Sequence, residues 1–150
     1  MDTMQNHVMT QVAIIVNDIE KTAQSFADLF GVPIPSINLT DPIEKSQAIY
    51  KGQPTKARAK LAFFNMGSLS LELIEPDHEP STWREFLDTH GPGVHHIAFE
   101  VKGMQETVAF LEGRGMPMVQ KGEYTGGRYA YIDSQSPLSV MLELLENDNV

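Results

Sequence analysis
The chain is written twice. QVAIIVNDIEKTAQSFADLFGV, residues 11–32, opens with a Val- and Ile-rich run that reads as a strand. Asp18 then stands where a helix cap belongs, and Ile19, Ala23, Phe26 and Phe30 follow at helical spacing up to Gly31. HIAFEVKGMQETVAFLEGRGM, residues 96–116, has the same layout, with Gly103 in the place of Asp18 and Met104, Val108 and Leu111 as the apolar stripe. Gln11 falls on His96, Ala13 on Ala98, Val16 on Val101 and Thr22 on Thr107. A second echo matches SLELIEP (70–76) with MLELLEN (141–147), so Glu72 falls on Glu143 and Glu75 on Glu146. The first copy is longer, mostly between residues 33 and 60. Self-similarity of this kind inside one chain points to a duplicated strand–helix–strands unit.

Each copy reads as a βαβββ module. Module one spans 8–76, with strands expected near 8–16, 46–52, 57–66 and 69–75. Module two spans 94–146, with strands expected near 94–101, 117–121, 127–133 and 139–146. Between them, 77–93 holds a linker helix, TWREFLDTH, capped by Ser81 and closed by Gly91. The fold class implied is α+β: a single domain over 1–150 whose two tandem modules form a curved, eight-stranded mixed sheet, a half-barrel cup. At 150 residues and 41% hydrophobic content the chain can fill one such core.

Several function classes fall away. No apolar run approaches the roughly 18 residues of a membrane span, and MDTMQNHVMTQ lacks a basic segment leading into an apolar one, so a cytoplasmic setting without membrane contact is expected. There is no cysteine, hence no disulfide framework and no thiolate metal site. A net charge of −9 argues against a nucleic-acid partner. Lys51, Lys56, Arg58 and Lys60 nevertheless bunch in KGQPTKARAK, which holds no acid. That stretch is either a solvated loop and strand edge or a local anion-binding lip.

Strand side chains alternate, which sorts the residues by face. Val12, Ile14 and Val16, Leu69, Leu71 and Leu73, Ile97, Phe99 and Val101, and Val140, Leu142 and Leu144 share the parity that packs under a helix. Gln11, Glu72, His96 and Glu143 have the opposite parity, at matched places in the two modules. If the sheet curls, these four meet in its concavity. His95 has the packing parity and is expected at the rim or under the linker helix. One imidazole, two carboxylates and one carboxamide form a mostly oxygen set whose charge of −2 balances one divalent ion. Without a thiolate, the candidates are Zn, Ni, Co, Mn, Fe or Mg.

The doubled module, the strand opening at Gln11, LELIEP, GPGVHHIAFEV and the closing LELLE resemble the vicinal oxygen chelate superfamily of glyoxalases, bleomycin-resistance proteins and dioxygenases. The wording LELIEP…FLDTHGPGVHHIAFEV is most similar to methylmalonyl-CoA epimerases, then to glyoxalase I. The resemblance implies that Gln11, Glu72, His96 and Glu143 hold the metal, in the Gln/Glu/His/Glu pattern of animal glyoxalase I. It implies proton transfer at a carbon next to a carbonyl, with Glu143, and Glu72 beside it, as catalytic acids and bases. Epimerases carry a further glutamate base on the strand leading into the LAFF region, where this chain has Lys56 to Lys60 and no acid. Lys56, Arg58, Lys60 and, from GEYTGGRYA, Arg128 become candidate substrate-binding cations for an anionic tail. The substrate would be a small molecule, a 2-oxo compound or an acyl thioester, and the assembly a homodimer. The alternative is a non-catalytic, resistance-type binding protein on the same scaffold.

Overall fold
Alternation along the strands decides which side each helix covers, and the helices form where the two stripes predict them. Residues 1–148 are described by a computed structural model. The chain runs β1 (Met9–Ile15), α1 (Ile19–Phe30), β2 (Asn38–Leu39), α2 (Ile43–Ser46), β3 (Ile49–Tyr50), β4 (Gln53–Pro54), β5 (Ala59–Asn65), β6 (Ser70–Pro76) and α3 (Thr82–His90). It continues with β7 (Gly93–Glu100), α4 (Met104–Glu112), β8 (Met118–Tyr124), β9 (Gly127–Ile132), α5 (Gln135–Leu138) and β10 (Met141–Asn147). No helix among the described residues is long and apolar enough to cross a membrane.

Asp18 caps α1 by accepting the Lys21 N–H at 3.1 Å, and Gly31 ends the helix at φ 66°, a left-handed turn that favours glycine. The buried stripe is Ile19, Ala23 and Ala27, and Phe30 lies outside it, 56% exposed. Gly103 has no side chain with which to cap α4. Glu146 supplies the acceptor instead, taking the Gly103 N–H at 2.6 Å and the Met104 N–H at 3.3 Å. Its counterpart Glu75 accepts the Ile19 N–H at 3.0 Å. The second pair of echoed acids therefore anchors a helix start in each module, where a negative charge is favoured.

All strands form one curled mixed sheet, in the order β2-β5-β6-β1-β7-β10-β9-β8-β3-β4. β1 pairs in parallel with β6, and β7 with β10, while β1 and β7 run antiparallel along the seam between modules. Under α1 lie Val16, Ala62, Leu71 and Leu73; under α4 lie Val101, Ile132, Leu142 and Leu144. Leu73 and Leu144 are wholly buried, each contributing about 1.5–3 kcal/mol of apolar transfer.

The sheet has ten strands rather than the expected eight, and the departure lies in the longer part of module one. The expected strand 46–52 shrinks to β3, which pairs with β8 of module two and with β4. β2 takes the free edge of β5. Residues 38–54 therefore cross from one edge of the sheet to the other. Proline and backbone geometry explain the short pieces: Pro42 and Pro54 lack a donor, and Gln47, Lys51 and Gly52 all have positive φ. The crossing is tied down by Lys51 N–H to Val119 O at 2.8 Å, Thr55 Oγ1 to Pro80 O at 2.6 Å and Arg58 Nε to Thr40 O at 2.8 Å.

Candidate active site
Register along the seam brings the echoed residues into two adjacent rows. Ala13 stands beside Glu72 on one side and His96 on the other, and Ala98 stands between Gln11 and Glu143. Small alanines thus separate the polar positions and leave their longer side chains room to lean together. Glu72, His96 and Glu143 each offer one ligand atom, and these atoms lie within 4.8 Å of one another. His96 Nε2 is 3.1 Å from Glu143 Oε1 and 3.4 Å from Glu72 Oε1. Gln11 lines the same cavity from the neighbouring row.

All three residues of the triad are buried: Glu72 is 6% exposed, His96 0% and Glu143 5%. Despite the short separations, Glu72 Oε1, His96 Nε2 and Glu143 Oε1 have no hydrogen-bond partner among the described residues. The three atoms therefore crowd one another without being satisfied by one another. Burial raises the Glu72 carboxyl above its ordinary value and the Glu143 charge adds to this, against the opposing pull of His96. Burial also opposes a charge on His96, but Glu143 and then Glu72 outweigh it and push the imidazole up to about 9. Two buried carboxylates and an orphaned imidazole nitrogen are costly as they stand. A divalent ion removes that cost, so the donor set fits one, and fits a borderline to hard ion by its oxygen content.

His95 departs from its expected parity. The register between β1 and β7 shifts between Ala13 and Ile14, whose partners are His96 and Val94, leaving His95 as the extra residue of a bulge. The bulge puts the two rings side by side, with Nδ1 to Nδ1 at 2.8 Å. His95 Nε2 lies 3.1 Å from Thr82 Oγ1 at the start of the linker helix, and Phe86 of that helix meets the ring edge-on. His95 is therefore beneath the linker helix rather than at the rim. Burial, and then the neighbouring His96, hold it well below the usual imidazole range.

Glu72 and Glu143, with His96 wholly buried against them, line the floor of a cavity of about 570 Å³. Its wall includes Leu61, Phe63, Trp83, Tyr129 and Tyr131, and residues 39–41, 46 and 48 of the crossing segment cover one side. The Trp83 Nε1–H donates to Tyr131 Oη at 3.0 Å, which fixes both rings, and Tyr131 lies 4.9 Å from His96 between ring centroids. The signal for Tyr129 and Tyr131 was present in the sequence as the inward parity of β9. Trp83 carried none beyond an apolar stripe that docks a helix.

None of the expected substrate-binding cations lines this cavity. Ala57, Leu61 and Phe63 take the inward parity around β5, which turns Lys56, Arg58 and Lys60 outward. Lys60 reaches Glu20 at 3.4 Å and Glu75 at 3.7 Å on the α1 side. Arg58 is spent on the Thr40 carbonyl, and Arg128 on Glu146 at 3.0 Å and Asp148 at 2.7 Å. Arg58, Lys60 and Arg128 are thus engaged by partners of their own, and Lys56 is exposed away from the cavity lining.

The family model described as the Glyoxalase/Bleomycin resistance protein/Dioxygenase superfamily matches residues 10–131. The uncharacterized protein YqjC of Bacillus subtilis (strain 168) is 33% identical over 92 residues, 59% of this chain and 66% of that protein. This chain thus spans just under two thirds of that relative's length. Among solved structures, a hypothetical protein from Bacillus halodurans C-125 superposes with a TM-score of 0.66 at 21% identity, covering 95% of each chain. Methylmalonyl-CoA epimerase from Mycobacterium tuberculosis gives 0.64 at 20% identity, covering 99% of this chain and 93% of that one. At these identities the structural likenesses speak for the fold alone.

Proposed function
The chain belongs to the glyoxalase/bleomycin resistance protein/dioxygenase superfamily, and from that membership and the buried triad we propose that it is a divalent-metal-dependent isomerase or lyase moving a proton at a carbon next to a carbonyl. The observation that carries the reading is the convergence of three buried, unpartnered donor atoms from Glu72, His96 and Glu143, two of which line a cavity. Gln11, Glu72, His96 and Glu143 would hold the ion. When bound, it would draw charge from a pair of substrate oxygens and so acidify the adjacent C–H.

The protein's own groups supply the rest. Glu143 and Glu72 are the acids within reach of a carbon held over the floor, and one of them takes the proton and returns it. A carboxylate suits that work when its surroundings raise its proton affinity toward the working pH, as burial does at Glu72. Trp83 and Tyr131, tied to each other, hold the apolar body of the substrate and keep water from the reacting carbon. Residues 56–65, where epimerases carry their further glutamate, contribute Ala57, Leu61 and Phe63 to the cavity, and no acid. Glu72 and Glu143, the buried acids of the cavity, therefore do the proton transfer, which favours a glyoxalase I-like over an epimerase-like arrangement. A non-catalytic binder could use the same aromatic wall but would have no use for two costly buried carboxylates. Gln11 and the triad come from one chain, so the homodimer implied by the resemblance is not needed to complete the set.

Metal analysis of the purified protein, paired with solvent deuterium incorporation, tests this. About one ion per chain is expected, lost in Glu143→Ala, with deuterium entering at the carbon next to the carbonyl of at least one of three probes. These are methylmalonyl-CoA, the methylglyoxal–glutathione hemithioacetal and 2-hydroxyacetophenone. A protein that takes up no metal under any loading condition would sink the reading.

A further inference from the structure
We propose that this cavity admits neutral or cationic substrates with a flat apolar body and turns away those built on a carboxylate- or phosphate-bearing carrier. The inference rests on the reading of the cavity as the substrate site and narrows that reading to one class. Its basis is the sign of the charge around the space. Asp41, Glu72, Glu100, Glu123 and Glu143 line the cavity, and no lysine or arginine does. A divalent ion at the floor would balance Glu72 and Glu143 alone.

The remaining three acids stand nearer the mouth. Glu100 and Glu123 are exposed and Asp41 half-buried. Their charge is only partly answered. Glu100 accepts from the neutral amide of Asn147 at 2.7 Å, and Glu123 is 3.8 Å from Arg128 Nε, a guanidinium already shared with Glu146 and Asp148. An anionic group entering this space would meet like charge, felt most beside half-buried Asp41 and least screened at low salt. The whole-chain charge of −9 adds a field of the same sign. The cations that could have answered a carrier phosphate are directed to the outer face: Lys60 to Glu20 and Glu75, and Arg128 to Glu146 and Asp148.

The walls supply the positive half of the selection. Trp83, Tyr129 and Tyr131 pack at tilted and edge-on angles, with centroids 5.2 to 6.2 Å apart, and Phe63 lines the space with 41% of its surface exposed. Aromatic faces of this kind hold planar apolar bodies, and their negative π faces favour a cation over an anion.

Trp83 is the sole tryptophan of the chain and lies in the wall, so its fluorescence reports occupancy directly. Three probes of one shape serve: 2-hydroxyacetophenone, its 4-trimethylammonio derivative and its 4-carboxylate, titrated into the full-length, Zn²⁺-loaded protein at low salt, with propionyl-CoA as a fourth. The neutral and cationic probes should quench Trp83 saturably and bind at least about tenfold tighter than the carboxylate and the thioester, the effect of one poorly screened like charge. The gap should shrink severalfold in Asp41→Asn and again at high salt. Equal or tighter binding of the carboxylate or of propionyl-CoA would overturn the proposal. So would a gap indifferent to both Asp41→Asn and salt, or the absence of saturable quenching by any probe. Deuterium exchange keeps the two readings apart. Exchange into an acyl-CoA alone would refute the charge selection and leave the proton-transfer reading standing. Charge-selective quenching without any metal uptake would do the reverse.

Discussion
At the scale of single residues, the least expected partner is His95. For His96 to present a lone pair on Nε2, its proton must sit on Nδ1, and the acceptor available there is His95 Nδ1 at 2.8 Å. His95 then carries its own proton on Nε2, toward Thr82 Oγ1 at 3.1 Å, and the hydroxyl turns to Met141 Sδ at 3.5 Å. These tautomers are assigned from the hydrogen-bond network. A chain of this sort orients a metal-ligating imidazole, and its loss typically costs about 10- to 100-fold in metal affinity. His95→Leu is expected to weaken Zn²⁺ binding by that factor in a chelator-competition titration. His95→Asn, whose amide oxygen can take the place of Nδ1, is expected to recover most of it. Equal losses in the two variants would reduce His95 to a packing residue. His96 was legible from alternation, as were the inward parities of Gln11, Glu72 and Glu143. His95 was not, because a bulge inserts one residue out of step and its position depends on the partner strand.

At the scale of elements, the crossing segment sets this cup apart from two bare repeats. Its hold on the linker helix runs through Glu85, which pairs with Lys51 at 2.8 Å and accepts from the Tyr50 hydroxyl. The Lys51 and Glu85 side chains are 59% and 51% exposed, so solvent screens the pair and its removal should cost under about 1 kcal/mol. The local effect should be larger. In Glu85→Ala, hydrogen exchange at the Lys51 amide, bonded to Val119 O, is expected to quicken while amides of β1 and β7 stay protected. Uniform quickening across the sheet would mean that Glu85 supports the whole fold rather than the crossing. α1, α3 and α4 could be read from caps and stripes, and the seven longer strands from alternation. β2 and β4 could not, since two-residue strands have no periodicity to detect, and β3 was expected only as the longer strand 46–52.

At the scale of the whole molecule, all four candidate donors belong to one chain, so metal stabilisation should be independent of protein concentration. Metal at about 100 times its dissociation constant should add about 2.7 kcal/mol. For a domain of this length that is a rise of roughly 5–10 °C in Tm. Calorimetry across a range of protein concentrations checks it. A shift that vanishes on dilution would place a donor in a second subunit. The sequence by itself determined the duplication, the faces of the strands, the ends of the main helices and the identity of the four inward polar residues. All of these are set by interactions within a few residues or by repetition along the chain: backbone sterics, capping bonds and side-chain alternation. The tertiary structure alone decided that ligand atoms of three of those residues converge within 4.8 Å, that residues 38–54 bridge opposite edges of the sheet, and that no lysine or arginine lines the cavity. Those outcomes depend on how sheet edges remote in sequence pair and curl, and on which carboxylates that curl brings beside each cation. No local pattern records either.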